Sequence, residues 1–161
     1  MGTTEMVVPI FILNHLKNKK MSNKIKQALV GGIIGAAVMS IVTMAAPMMG
    51  MPKMSQPAML SMMMGFPIVA GWLMHFMIGI IFAMVYAFFF INIVKKISNN
   101  ILKGAIFGFA VFIFAQIMMA IMGMMMPMPP MEGSMMLMMV GAMIGHLVFG
   151  ITVAMFVKEQ A

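Results

Sequence analysis

The chain has 161 residues, 63% of them hydrophobic and only 8% charged, with a mean hydropathy of +1.08 and a formal net charge of +7. A soluble domain carries about a quarter of its residues as charges, so there is too little polar material to cover a globule, and lipid has to be the solvent for most of the surface. No cysteine is present, which excludes disulfides, iron–sulfur clusters and thiolate metal sites, and the basic charge comes from lysines at the ends of apolar runs rather than from a nucleic-acid-binding patch.

Residues 1–23 read as a basic N-terminal segment. Its apolar run Met6–Leu16 is too short to cross a bilayer, contains Pro9, and precedes its lysines instead of following them as a signal peptide does. An interfacial segment or a flexible tail is expected there. Four longer apolar runs follow, at residues 27–47, 67–94, 101–126 and 135–157, each able to span a hydrocarbon core that takes about 20 helical residues. The fold class is therefore all-α integral membrane with four transmembrane helices. Between the first two spans, Ser55 and Pro57 have the chemistry of a helix start, which predicts a short helix through Met64 lying along the outer interface.

Lysines set the expected orientation. Lys17, Lys19, Lys20, Lys24 and Lys26 precede the first span, Lys95, Lys96 and Lys103 occupy the middle loop, Lys158 follows the last span, and the first and third loops hold only Lys53. Basic residues stay cytoplasmic, so both termini and the middle loop are expected inside, in the cytoplasmic membrane of a prokaryote.

The chain also matches itself. At an offset of 73, Gly31 aligns with Gly104 and Gly35 with Gly108; at an offset of 71, His75 aligns with His146 and Gly79 with Gly150. Two helical-hairpin repeats of the same topology, 24–96 and 97–161, account for this, related by a pseudo-two-fold axis along the membrane normal. Within the spans, Gly31, Gly35, Gly104 and Gly108, with Gly32, Ala36 and Ser40, form ridges of small residues that let helix backbones approach closely. Gly71, Gly79 and Gly150 continue the same spacing around the histidines.

His75 and His146 are the ionisable side chains well inside spans, roughly 12–17 Å from the outer ends at 1.5 Å per residue. A polar group at that depth should face the bundle and have a partner. Three readings are open: neutral imidazoles bonded across helices to Ser40, Thr43 or Gln116; a bis-histidine haem b with the flanking glycines making room for the porphyrin; or a copper or proton site built on the same pair.

Thirty residues are Met, and twenty-one of them fall in the two windows 44–64 and 118–139, at the ends of spans opposite the lysines. Thioethers are soft donors suited to Cu(I), and Met48, Met49, Met51 and Met54 with Met122, Met124, Met125 and Met126 form a candidate set. The strings MMGMPKM and MGMMMPMPPM resemble the Met-rich segments of copper-handling membrane proteins in composition, though not in spacing. Adaptable apolar filler, or a surface that packs against a partner, is the competing reading. Glu132 is the one acid among these methionines and a candidate partner for Lys53.

The glycine-rich first span, the outer Met-Gly-Met turn and Gly71-Trp72, His75 and Gly79 with Gly145-His146 and Gly150 resemble small uncharacterised bacterial and archaeal membrane proteins of four helices, over about residues 24–158. That resemblance implies the fold and carries no activity. The spans hold no carboxylate and the chain has no HExxH, Walker or dinucleotide motif, so a non-enzyme is expected. The leading expectation is an accessory or scaffold subunit of a larger, respiratory-type membrane assembly, or a homo-oligomer, with copper handling at the outer face. A haem b electron carrier and a small oligomeric copper or solute conduit are the alternatives. Lipid is a partner throughout, and nucleic acid is not.

Overall fold

A computed structural model describes residues 10–125 and 133–158, and its elements are helices. The order is α1 (Ile10–Ala45), a 3-10 turn (Ala46–Met49), α2 (Gln56–Met64), α3 (Ile68–Val85) continued by a π-helical turn (Tyr86–Phe90) and a short α4 (Ile91–Ile93), then α5 (Asn100–Met125) and α6 (Met135–Phe156). Four of these stretches are long and apolar enough to cross a membrane, Leu13–Met49, Ile68–Ile93, Asn100–Met125 and Met135–Phe156. The chain has the build of a membrane protein.

α1 does not begin where the sequence suggested a span. It is one helix of 36 residues, about 54 Å at 1.5 Å per residue, so Ile10–Leu16 is helical continuation rather than a separate interfacial or flexible element. The cause is visible in the residues: neither Gly nor Pro occurs between Ile10 and Val30, so nothing interrupts the hydrogen-bond ladder.

α1 packs against α3 on one side and α6 on the other, and α6 in turn lies between α1 and α5. Two adjacent small-residue faces allow this. On the first, a Cβ added at Gly32 would lie 2.7 Å from the Ile80 Cα and 2.9 Å from the Gly79 carbonyl oxygen of α3. On the second, Cβ atoms at Gly31 and Gly35 would meet Phe156 at 3.2 Å and Phe149 at 2.9 Å on α6. α5 packs against α6 more closely still, where a Cβ at Gly104 would sit 2.4 Å from the Ile151 Cα and one at Gly108 would sit 2.3 Å from the His146 carbonyl oxygen. Rings bridge α3 and α5, with Phe82 5.6 Å from Phe114 and Tyr86 4.9 Å from Phe107 between centroids. The fully buried Tyr86, Phe107 and Val153 put the densest core toward the lysine-bearing end.

α2 forms as its sequence predicts. Ser55 is the N-cap and its Oγ accepts the Ala58 N–H at 3.3 Å, Pro57 occupies the first turn, and Gly65 closes the helix with φ +66°. It packs on the start of α3, where a Cβ added to Gly71 would collide with the Pro57 carbonyl oxygen.

Candidate functional site

Two groups of side chains are the candidates: the histidines within the apolar helices and the methionines at the helix ends opposite the lysines. His75 lies on the face of α3 that meets α1 and is 7% exposed. Its Nε2 is 3.0 Å from Ser40 Oγ and 3.3 Å from the Ala36 carbonyl oxygen. Ser40 Oγ is itself 2.9 Å from that carbonyl; a hydroxyl has one proton, so when it goes to Ala36 the imidazole donates from Nε2 to Ser40. Trp72 stands edge-on to the ring at 6.3 Å. Thr43, the other hydroxyl foreseen as a partner, turns instead to the Met39 and Ser40 carbonyls and to Gln56 Oε1, each at 3.1 Å, and so ties α1 to the first residue of α2.

His146 is bonded differently. Its Nδ1 donates to the Ala142 carbonyl one turn back in its own helix at 2.7 Å, and its ring meets Phe112 of α5 edge-on at 5.9 Å. Among the described residues, Gln116 makes no hydrogen bond to either histidine. Each imidazole is directed at its own neighbouring helix.

The glycines one turn from the histidines open no gap. A Cβ at Gly79 would meet Ala36 Cβ and the Gly32 carbonyl oxygen, both at 3.0 Å, and one at Gly150 would lie 2.3 Å from the Gly104 carbonyl oxygen. Helix backbone fills the space that a porphyrin would need, and the Nε2 of His75 is already bonded to α1. Both observations argue against the bis-histidine haem.

The methionine set divides. Met49, Met51 and Met54 line one cavity of about 100 Å³ at the end of the bundle opposite most of the lysines, together with Val42, Thr43 and Ala46 and the α6 residues Gly141 and Ile144. A point one Cβ out from Gly141 is 3.1 Å from Met54 Sδ and 3.7 Å from Met51 Sδ, so the two sulfurs converge on the glycine. Met48 is 89% exposed, Met124 81% and Met125 77%; Met122 is partly exposed, and none of the four lines that cavity. Met49, 79% exposed, stands at its rim. Met126 and Glu132 lie outside the described residues. The first and third loops come together at Pro52, whose Cγ would lie 2.9 Å from a Cβ placed on Gly133. What the sequence could not supply was Gly141, an unremarked glycine whose missing side chain makes the sulfur pocket.

Among the described residues, no three of His, Cys, Asp and Glu come together in a way that could hold a metal ion. The chain belongs to a family of unknown function (DUF6789), whose model matches residues 22–160, nearly the stretch that carried the resemblance above. No curated protein matches the chain, and no solved structure does.

Proposed function

We propose that this member of a family with no assigned activity is a non-catalytic accessory subunit of the prokaryotic cytoplasmic membrane, docking through a methionine-rich extracytoplasmic face onto a larger membrane assembly of the respiratory kind. One observation carries this. Four of the five most exposed large apolar side chains among the described residues are Met48, Met49, Met124 and Met125. Met48 and Met49 close the 3-10 turn after α1 and Met124 and Met125 close α5, at the margins of two spans, where lipid tails give out. Unbranched thioethers adapt to a partner's shape, and apolar patches left open at such a place mark association surfaces.

The orientation belongs to the same reading. Nine of the ten lysines lie at one end of the helices and Lys53 alone at the other, which makes the methionine end extracytoplasmic. So does duplication of one hairpin. The contact of Gly32 with Gly79 and Ile80 recurs as that of Gly104 with Gly150 and Ile151. In this packing Gly32, not Gly31, corresponds to Gly104, a register one residue from the sequence match. Ser40 then corresponds to Phe112, which explains why only His75 has a hydroxyl partner.

Photo-crosslinking in native membranes tests the docking face. A photoreactive residue at Met48 or Met124 is expected to give protein adducts, and one at Ile93, exposed at the lysine end, lipid adducts. Lipid adducts alone from all three positions would remove the reading.

The cavity at Gly141 favours a second activity at this face, Cu(I) binding by Met49, Met51 and Met54, since neutral soft donors in an apolar pocket suit a soft monovalent ion. Cu(I) titration against a chromogenic competitor separates it from filler. Replacing these three with Leu, which preserves apolar volume, should abolish uptake, whereas Leu at Met48, Met124 and Met125 should not. Equal uptake by both variants, or none by the unmodified protein, excludes the site.

A further inference from the structure

We infer that the groove between the lysine-bearing stretch of α1 and the π-helical turn after α3 binds the phosphate headgroup of an anionic phospholipid. The groove encloses about 190 Å³ and is lined by Lys17, Lys20, Met21, Lys24 and Phe88. The three lysines are spaced by three and then four residues, so they share one face of α1. The opposite wall is Phe88, at the middle of the five-residue π turn Tyr86–Phe90. A π turn inside a membrane helix is uncommon and often marks a functional position. Here it brings the Phe88 ring to 6.0 Å from the Lys24 ammonium, within reach of a cation–π contact.

An anion suits this face: its three ammonium groups repel one another, and among the described residues no Asp or Glu is present to balance them. Depth and wall chemistry then favour a lipid over free phosphate. Gly32 marks the α1–α3 crossing within the spans; eight residues further down, about 12 Å by helical rise, is Lys24. At that same end Gln27 Oε1 accepts the Lys158 N–H at 3.1 Å, where α6 has just finished. The groove thus sits where the spans meet water, at headgroup level, with cations for a phosphate and with Met21 and Phe88 for the glycerol and upper acyl carbons. Juxtamembrane lysine clusters attract anionic lipids in general; a shaped groove with an aromatic wall holds one in place. This site is at the opposite end from the methionine face and stands or falls independently of it.

The test uses the full chain in a neutral detergent, with thermal unfolding followed as phosphatidylglycerol, phosphatidylcholine or inorganic phosphate is titrated. Phosphatidylglycerol is expected to raise the midpoint saturably and the other two to leave it unchanged. Lys17→Gln/Lys20→Gln/Lys24→Gln should shift half-saturation at least tenfold upward. Lys19→Gln/Lys26→Gln/Lys96→Gln, which removes the same charge at the same end but outside the groove, should stay within about twofold of the unmodified protein. Should the first triple variant fail to fold, Lys20→Gln alone carries the comparison. The site is overturned by an equal response to phosphatidylcholine, by an equal loss in the two triple variants, or by inorganic phosphate acting at the same concentrations, which would make it a phosphate site.

Discussion

A Cβ added to a glycine of these spans meets either backbone or the edge of a side chain, and the difference sets what each substitution costs. At Gly108 and Gly150 the nearest atoms are main-chain, at 2.3 Å in both cases. Only separation of α5 from α6 can relieve them. At Gly35 the nearest atom is Cδ2 of Phe149, 2.9 Å away, and a ring can tilt. Gly108→Ala is therefore expected to lower the melting temperature in detergent by about 5 °C or more, as overpacking costs typically 1–3 kcal/mol. Gly35→Ala should lower it less. Equal melting temperatures for both variants would mean that α5 and α6 are not in backbone contact. The Ser40–His75 bond is predicted to couple by about 1 kcal/mol, the range measured for interhelical bonds in membranes. A double-mutant cycle with Ser40→Ala and His75→Ala reads that energy, and zero coupling would mean that the bond is absent. Spacing makes the glycine ridges legible in the sequence, and Ser40, Thr43 and Gln116 stand as alternative partners for the histidines, of which Ser40 meets His75. Spacing does not reveal which helix each ridge meets. In a helix apolar on every side, periodicity no longer tells lipid from protein, so Gly31 and Gly32 looked alike although they face different neighbours.

At the level of elements, local chemistry was legible wherever a capping or breaking residue announces itself. Ser55 and Pro57 placed α2 correctly, because a hydroxyl accepting the Ala58 N–H and a ring with fixed φ both favour a helix start. Ser55→Ala should destabilise α2 by about 1 kcal/mol. Hydrogen exchange is expected to quicken in Met59–Met64 while α5 is unaffected, and unchanged exchange in α2 would show that packing on α3 alone holds it. Two features escaped because nothing local marks them. The run Met6–Leu16 looked separate since it is short and followed by lysines, yet no breaker lies between Ile10 and Val30, and the helix continues through the charges. The π turn at Tyr86–Phe90 has no sequence signature either; it falls where the rings of Tyr86 and Phe90 both pack on Phe107.

At the scale of the whole molecule, the two hairpins matched in sequence pack differently, in a way their residues explain. α1 and α6 meet closely through Gly35, whereas the position matching Gly35 in α5 is Phe107 in the packing register, and its ring holds α3 away from α5. The helices thus pack in the order α3, α1, α6 and α5, with α1 and α6 as the inner pair. The lysine asymmetry carries an expected sidedness. A topology reporter at Asn99 is expected to read cytoplasmic and reporters at Gln56 and Glu132 extracytoplasmic; the inverse would put the methionine face inside the cell. The central claim is that the protein works as a docked, non-catalytic subunit, and the mass of the particle it occupies tests this most directly. Native membranes are extracted into polymer-bounded lipid discs, and the complex holding the 17.6 kDa chain is sized with and without Ser in place of Met48, Met49, Met124 and Met125. An assembly several times the mass of one chain is expected, falling to the single chain in the quadruple variant. A single chain from unmodified membranes, or an assembly that survives the four substitutions, would contradict it.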